Sequence, residues 1–144
     1  MWGGGLAAGL ALSCPDARMV IVEPQHWDDM GQSLALGEIV EVASDAPATF
    51  CDALMCRRVS DLTFEILRDS GATGVVVSEA EIESAMCYAF SKLQIILEPG
   101  GAVALAAILS GKVIVTDNTL VVLSGGNVDP AAFAAILARS ETPT

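Results

Sequence analysis

Apolar residues along this chain fall into two kinds of run, and their spacing predicts helices alternating with short buried strands. Arg18-Met19-Val20-Ile21-Val22, Val75-Val76-Val77 and Leu120-Val121-Val122-Leu123 are short, mostly β-branched or leucine-rich and bounded by turn residues. They predict strands at about 19–23, 74–78 and 119–123. Between them the apolar positions recur at helical intervals. Ser78 and Glu81 form an S-x-x-E capping box, after which Ile82, Ala85, Met86, Ala89, Phe90 and Leu93 share one face that should be core. Further helices are predicted over 6–13, halted because the residue before Pro15 avoids the α region, and over 28–36, with Met30 and Leu34 on one face and Gly37 as the stop. Residues 61–69 read as another. Residues 102–109 are apolar all round and predict a buried helix, and Asp129 with Pro130 at N1 opens a last one that turns Phe133, Ile136 and Leu137 inward. Ile39-Val40-Glu41-Val42 could add a minor strand.

This order predicts a three-layer α/β architecture, a mainly parallel sheet flanked by helices and joined by right-handed crossovers. Residues 1–139 are expected to form a single domain and 140–144 a flexible tail with nothing to bury. No internal repeat is visible, and the one linker-like tract, 43–48, is too short to separate domains.

Composition narrows the function classes. Seven basic against eighteen acidic residues give a net charge of -11, which repels nucleic acid and anionic lipid. The hydrophobic fraction is 53% and mean hydropathy +0.56, yet no apolar run reaches membrane-spanning length. No nucleic-acid or membrane partner is therefore expected, and with no secretory leader pattern the expected location is cytoplasmic. The excess apolar character must be covered somewhere. A homodimer is the simplest expectation, because two-fold dimers are the commonest oligomers. Cys14, Cys51, Cys56 and Cys87 show no CxxC spacing and read as small buried apolar side chains in a reducing compartment.

Three glycine-containing stretches carry the candidate chemistry. Gly3-Gly4-Gly5 runs into the first helix, where bare backbone N–H groups and the helix N-terminus can seat a phosphate; the plainer reading is a frayed chain end. Ser124-Gly125-Gly126-Asn127 interrupts a strand before a helix, the usual place for a ligand at a parallel sheet edge, though it also reads as an ordinary turn. With Glu98-Pro99-Gly100-Gly101-Ala102, these stretches resemble the pyridoxal-phosphate-dependent threonine dehydratase and serine racemase family. The resemblance runs from residue 3 to about 137 and covers about the C-terminal half of such an enzyme. It implies that Gly3, Gly4 and Gly5 bind the cofactor phosphate and that Ser124 faces the pyridine nitrogen. Met1 and Trp2 stand where the family pattern has a serine and a fourth glycine. Thr49-Phe50-Cys51-Asp52-Ala53-Leu54 matches the family stretch that crosses behind the cofactor.

Glu23-Pro24-Gln25-His26-Trp27-Asp28-Asp29 is similar to the divalent-cation loop of serine racemases and some threonine dehydratases. The resemblance implies magnesium or calcium held by the Glu23 carboxylate, the Trp27 backbone carbonyl and the Asp29 carboxylate, an all-oxygen set suited to a hard cation. The competing reading has these acids solvated and capping the next helix through Asp28 or Asp29. His26, the only histidine, reads as a surface residue, and the Trp27 ring is a ligand in neither case.

The family's chemistry needs a Schiff-base lysine, which lies well upstream of the glycine loop. Only Lys92 and Lys112 are present, and both read as solvated side chains. The chain is thus expected to be a partial threonine/serine dehydratase, an ammonia-lyase, that is inactive alone unless a separate chain supplies the missing N-terminal half. The alternatives are a non-catalytic small-molecule or divalent-cation binding module, or a structural or decayed cassette-type protein that self-associates.

Overall fold

The computed structural model describes residues 4–140, which contain six α-helices and two strands. Internal contacts divide the chain into two units, one ending at Val76 and one beginning at Val77.

The first unit runs α1 (Gly5–Ser13), β1 (Val20–Pro24), α2 (Asp29–Leu36), α3 (Asp61–Asp69) and β2 (Thr73–Val77), the last residue of which opens the second unit. β1 and β2 pair in a parallel sheet flanked by helices, so the chain has the α/β class its pattern predicts. Two helix ends have a plain local cause. Ser60 caps α3 by accepting the Thr63 N–H at 3.2 Å, and Gly37 closes α2 with φ at +78°. α1 is apolar on every side and buries Ala8 and Ala11 against α3, leaving Leu6 and Leu12 exposed. The core joins these alanines to Met30, Val59, Phe64, Leu67 and Ala72, with Leu34 packed at its margin.

α2 lies very close to β2. A Cβ on Gly74 would overlap the Gly31 Cα, and one on Gly31 would stand 3.2 Å from Glu23 Oε2. Two glycines facing each other let helix backbone meet strand backbone with no side chain between them. The predicted strand at 39–42 reduces to a single antiparallel bridge between Glu41 and Arg58.

The second unit contains α4 (Glu79–Tyr88), a π-helical turn (Ala89–Leu93), α5 (Pro99–Leu109) and α6 (Pro130–Ser140). The capping box forms as predicted: Glu81 N–H donates to Ser78 Oγ at 3.3 Å and Ser78 N–H to Glu81 Oε2 at 2.7 Å. Ile82, Ala85, Met86 and Ala89 are fully buried, but Phe90 and Leu93 are half exposed. The π turn bonds i to i+5, so side chains beyond Tyr88 leave the 3.6-residue stripe that the sequence suggests. Phe90 instead meets Phe133 of α6 edge to face, with ring centroids 5.5 Å apart. α5 starts at Pro99, three residues before the predicted start, because proline's fixed φ suits the first helical position.

The predicted third strand does not form. Residues 119–123 have no ladder partner among the described residues, and Leu120 is 83% exposed. β-propensity describes a fit to a pleated, half-buried surface, and no neighbouring strand provides one here. The cysteines also depart from expectation. No disulfide links them among the described residues, and only Cys51 is buried; Cys14 is exposed and Cys56 and Cys87 are intermediate.

Gly74→Ala is expected to cost about 1–3 kcal/mol, because neither backbone can yield to the new methyl group. Gly9→Ala, on the open side of α1 with nothing within 4 Å of the new Cβ, should instead gain about 0.5–1 kcal/mol. Urea titrations of both variants measure this. A wild-type midpoint for Gly74→Ala would refute the close-contact account.

Candidate functional site

In the second unit, two sequence motifs are brought together backbone to backbone. Glu98 N–H donates to the Gly125 carbonyl at 3.1 Å, and Gly101 N–H donates to the Glu98 carbonyl at 3.0 Å in the first turn of α5. A Cβ on Gly101 would coincide with the Ser124 carbonyl oxygen, and one on Gly125, whose φ is +80°, would overlap the Glu98 carboxyl. One on Gly126 would stand 3.0 Å from the Ile96 carbonyl oxygen. Ser124 is exposed, and its hydroxyl forms no hydrogen bond among the described residues. The turn is held by main-chain contact while its hydroxyl stays free to donate.

In the first unit, Gly4 is the N-cap of α1 with φ at +79°, and no side chain caps that helix. Ala8 N–H bonds the Gly4 carbonyl at 2.8 Å, so the donors of the preceding positions are the unpaired ones of a helix start. Gly5 is exposed there, and Gly3 lies outside the described residues. Gly4 and Gly5 can therefore seat an anion at the helix start.

The acidic loop also lies in the first unit, at the start of α2. Glu23 accepts the Gly31 N–H at 2.7 Å and the Met30 N–H at 3.1 Å. It thus takes the helix-capping part that the competing reading gave to Asp28 or Asp29. Asp29 is only 3% exposed, and its Oδ2 is buried with no hydrogen-bond partner. Burial pushes the Glu23 carboxyl up to about 8 against the opposing pull of the Gly31 N–H, with the nearby Asp29 adding to the rise. Burial likewise pushes Asp29 up to about 6. Two carboxyls that resist ionisation, one with an oxygen that has no partner, make a donor set a divalent cation would complete. Trp27 stands between them in sequence, its ring buried and its indole N–H donating to the Pro47 carbonyl at 2.8 Å. The ring is thus committed away from any ligand role. Among the described residues, no three His, Cys, Asp or Glu side chains gather into a metal-binding group, so a cation here would rest on two carboxylates and main-chain oxygen.

Lys112 Nζ pairs with Glu81 at 2.7 Å, and Lys92 is exposed in the π turn. Asp52 sits in a short 3₁₀ turn and accepts the N–H of its neighbour Ala53 at 2.7 Å. The grip of Gly101 on Ser124 is the feature that sequence reasoning missed. Its signal was a glycine in the first turn of an otherwise apolar helix.

Comparison with known proteins places these features in a family. The profile described as pyridoxal-phosphate dependent enzyme matches residues 3–125. An L-threo-3-hydroxyaspartate ammonia-lyase of a Pseudomonas species is 31% identical over 140 residues, covering 94% of this chain and 43% of that protein. A catabolic L-threonine dehydratase of Escherichia coli is 35% identical over 134 residues, covering 88% and 40%. The solved serine racemase of maize superposes with a TM-score of 0.79 at 30% identity, covering 97% of this chain and 45% of that one. The chain spans about two fifths of the length of the curated relatives it matches.

The buried acids give a pH signature. A carboxyl whose pKa is higher in the folded chain than its ordinary 4.5 contributes stability that is complete below pH 4.5 and is lost as pH rises to about 8. Glu23→Gln should remove a slope of up to about 1.4 kcal/mol per pH unit in that window. Urea midpoints of variant and wild type between pH 5 and pH 8, on the order of one unit apart, read the difference. Parallel pH profiles would show that Glu23 is not held protonated.

Proposed function

The chain belongs to the pyridoxal-phosphate dependent enzyme family, and from that premise we propose that it forms the phosphate-, ring- and cation-binding part of a threonine- or serine-type dehydratase. The observation that carries this reading is the junction of Glu98–Gly101 with Ser124–Gly126, which presents a free hydroxyl on a turn held by main chain. The uncapped start of α1 supports it, since the donors at Gly4 and Gly5 suit a phosphate. When bound, pyridoxal phosphate supplies the electron sink that lets an α-proton leave an amino acid. In this reading Gly3, Gly4 and Gly5 hold its phosphate, and the Ser124 hydroxyl donates to its ring nitrogen. Lys112 is engaged by Glu81 and Lys92 is solvated, so turnover requires a lysine from outside these 144 residues. The chain alone binds but does not react.

A second role rests on the orphan oxygen of Asp29. Glu23, Asp29 and the Trp27 carbonyl are proposed to hold magnesium or calcium, the cation taking the place of the proton that burial otherwise retains. Apolar surface bears on the partner. Ile114 and Leu120, each 83% exposed, belong to the face that a second copy would cover in a homodimer, or that a companion chain with the family's remaining length would cover.

Titration with pyridoxal phosphate should raise the melting temperature saturably and leave no borohydride-stable lysine adduct. Ser124→Ala should weaken that binding about tenfold, the worth of one hydrogen bond to a ligand. No shift in the wild-type chain would overturn the cofactor reading, and a borohydride-stable adduct on Lys92 or Lys112 would overturn the assignment of the lysine elsewhere. Calcium or magnesium should also raise the melting temperature, and Asp29→Asn should abolish that rise. An equal response in the variant would remove Asp29 from the cation site. Light scattering on the order of tens of micromolar should return a dimer, and monomer alone would sink self-association.

A further inference from the structure

We infer that Gly101 is a positioning residue for Ser124: the first turn of α5, rather than the turn at 124–126 itself, decides where the ring-nitrogen donor stands. The inference deepens the proposed function and rests on its assignment of Ser124. Three consecutive residues of the turn are each gripped by a different residue of the preceding segment. The Ser124 carbonyl oxygen occupies the place of a Cβ on Gly101, the Gly125 α-carbon lies against the Glu98 carboxyl, and the place of a Cβ on Gly126 is 3.0 Å from the Ile96 carbonyl oxygen. The Glu98 N–H to Gly125 carbonyl bond of 3.1 Å fixes the register between the two segments. Gly101 is itself fixed. It is buried, its N–H bonds the Glu98 carbonyl at 3.0 Å, and Pro99 sets the helix entry with its own locked φ.

The side chain of Ser124 adds no anchor of its own. It is exposed and makes no hydrogen bond among the described residues, so its location is inherited through its main chain. Any side chain at position 101 would drive the Ser124 carbonyl away, because the obstacle is main chain, which cannot swing aside as a flexible side chain would. A methyl group there displaces the hydroxyl from its acceptor while leaving the hydroxyl itself intact. That separates a positioning role from a binding one.

The test uses the full chain with Gly101→Ala, Ser124→Ala and the double variant. Amide spectra of Gly101→Ala should show the signals of residues 124–126 displaced while those of α6 stay in place, and unmoved signals at 124–126 would overturn the inference. Affinity is then measured for pyridoxal phosphate and for its analogue in which CH replaces the ring nitrogen. Gly101→Ala should bind pyridoxal phosphate about tenfold more weakly and the analogue unchanged, with no further loss in the double variant. Equal weakening toward both ligands would mark Gly101 as merely structural and overturn the inference. If the wild-type chain binds neither ligand, the proposed function falls, and the amide signals alone decide whether Gly101 places Ser124. Should Gly101→Ala fail to fold, the unmodified chain decides: slowed hydrogen exchange at the Glu98 amide, which bonds the Gly125 carbonyl, supports the grip, and exchange at the rate of an open amide overturns it.

Discussion

Main chain packed directly on main chain is the constraint on which both units depend. In the first, Gly31 of α2 faces Gly74 of β2 with no side chain between them. In the second, Gly101 of α5 lies against the Ser124 carbonyl. A contact of this kind leaves no room for adjustment, since neither partner has a rotamer to change. It therefore transmits position with little tolerance. Candidate functional groups stand beside both contacts: the Glu23 carboxylate bonds the Gly31 N–H, and the Ser124 hydroxyl extends from the gripped turn.

The acidic loop holds two carboxyls in different states, one bonded to main chain and one with an unpaired oxygen. Glu23 ties strand β1 to the start of α2 by taking two N–H groups that the helix leaves unpaired. Asp29 is buried beside it with an oxygen that nothing satisfies. An unsatisfied buried oxygen costs free energy, on the order of 1–3 kcal/mol, and such costs persist where a ligand can relieve them. Held protons are one form of relief and a hard cation is another. Both forms use the same two carboxyls, so proton release and cation binding would be linked.

Much of the local architecture was legible because its signals are short-ranged. The capping box of Ser78 and Glu81 needs four consecutive residues, and the stop at Gly37 needs only a left-handed φ that glycine supplies without strain. The motif pair around Glu98 and Ser124 was legible as a resemblance, with no indication of what joined the two. The failures were non-local. The stripe through Phe90 and Leu93 assumed an α-helical period beyond Tyr88, where a π turn intervenes. The strand at 119–123 was inferred from its residues, although a strand exists only with a neighbour to bond. The four cysteines were assigned by type, but their exposure follows from where helix ends and loops fall.

The sequence by itself determined the capping box of α4, the stop at Gly37, the α/β class and the net negative charge. These follow from neighbours a few positions apart, or from composition, and survive without knowledge of packing. Tertiary structure decided that Glu23 caps α2, that an Asp29 oxygen is left unpaired, that Lys112 is engaged by Glu81, and that Gly101 lies against the Ser124 carbonyl. Lys112 with Glu81 and Gly101 with Ser124 join residues far apart in the chain, and the others follow from burial. Burial and close approach arise only when such segments meet, and no pattern of residue types along a line encodes how near two backbones come.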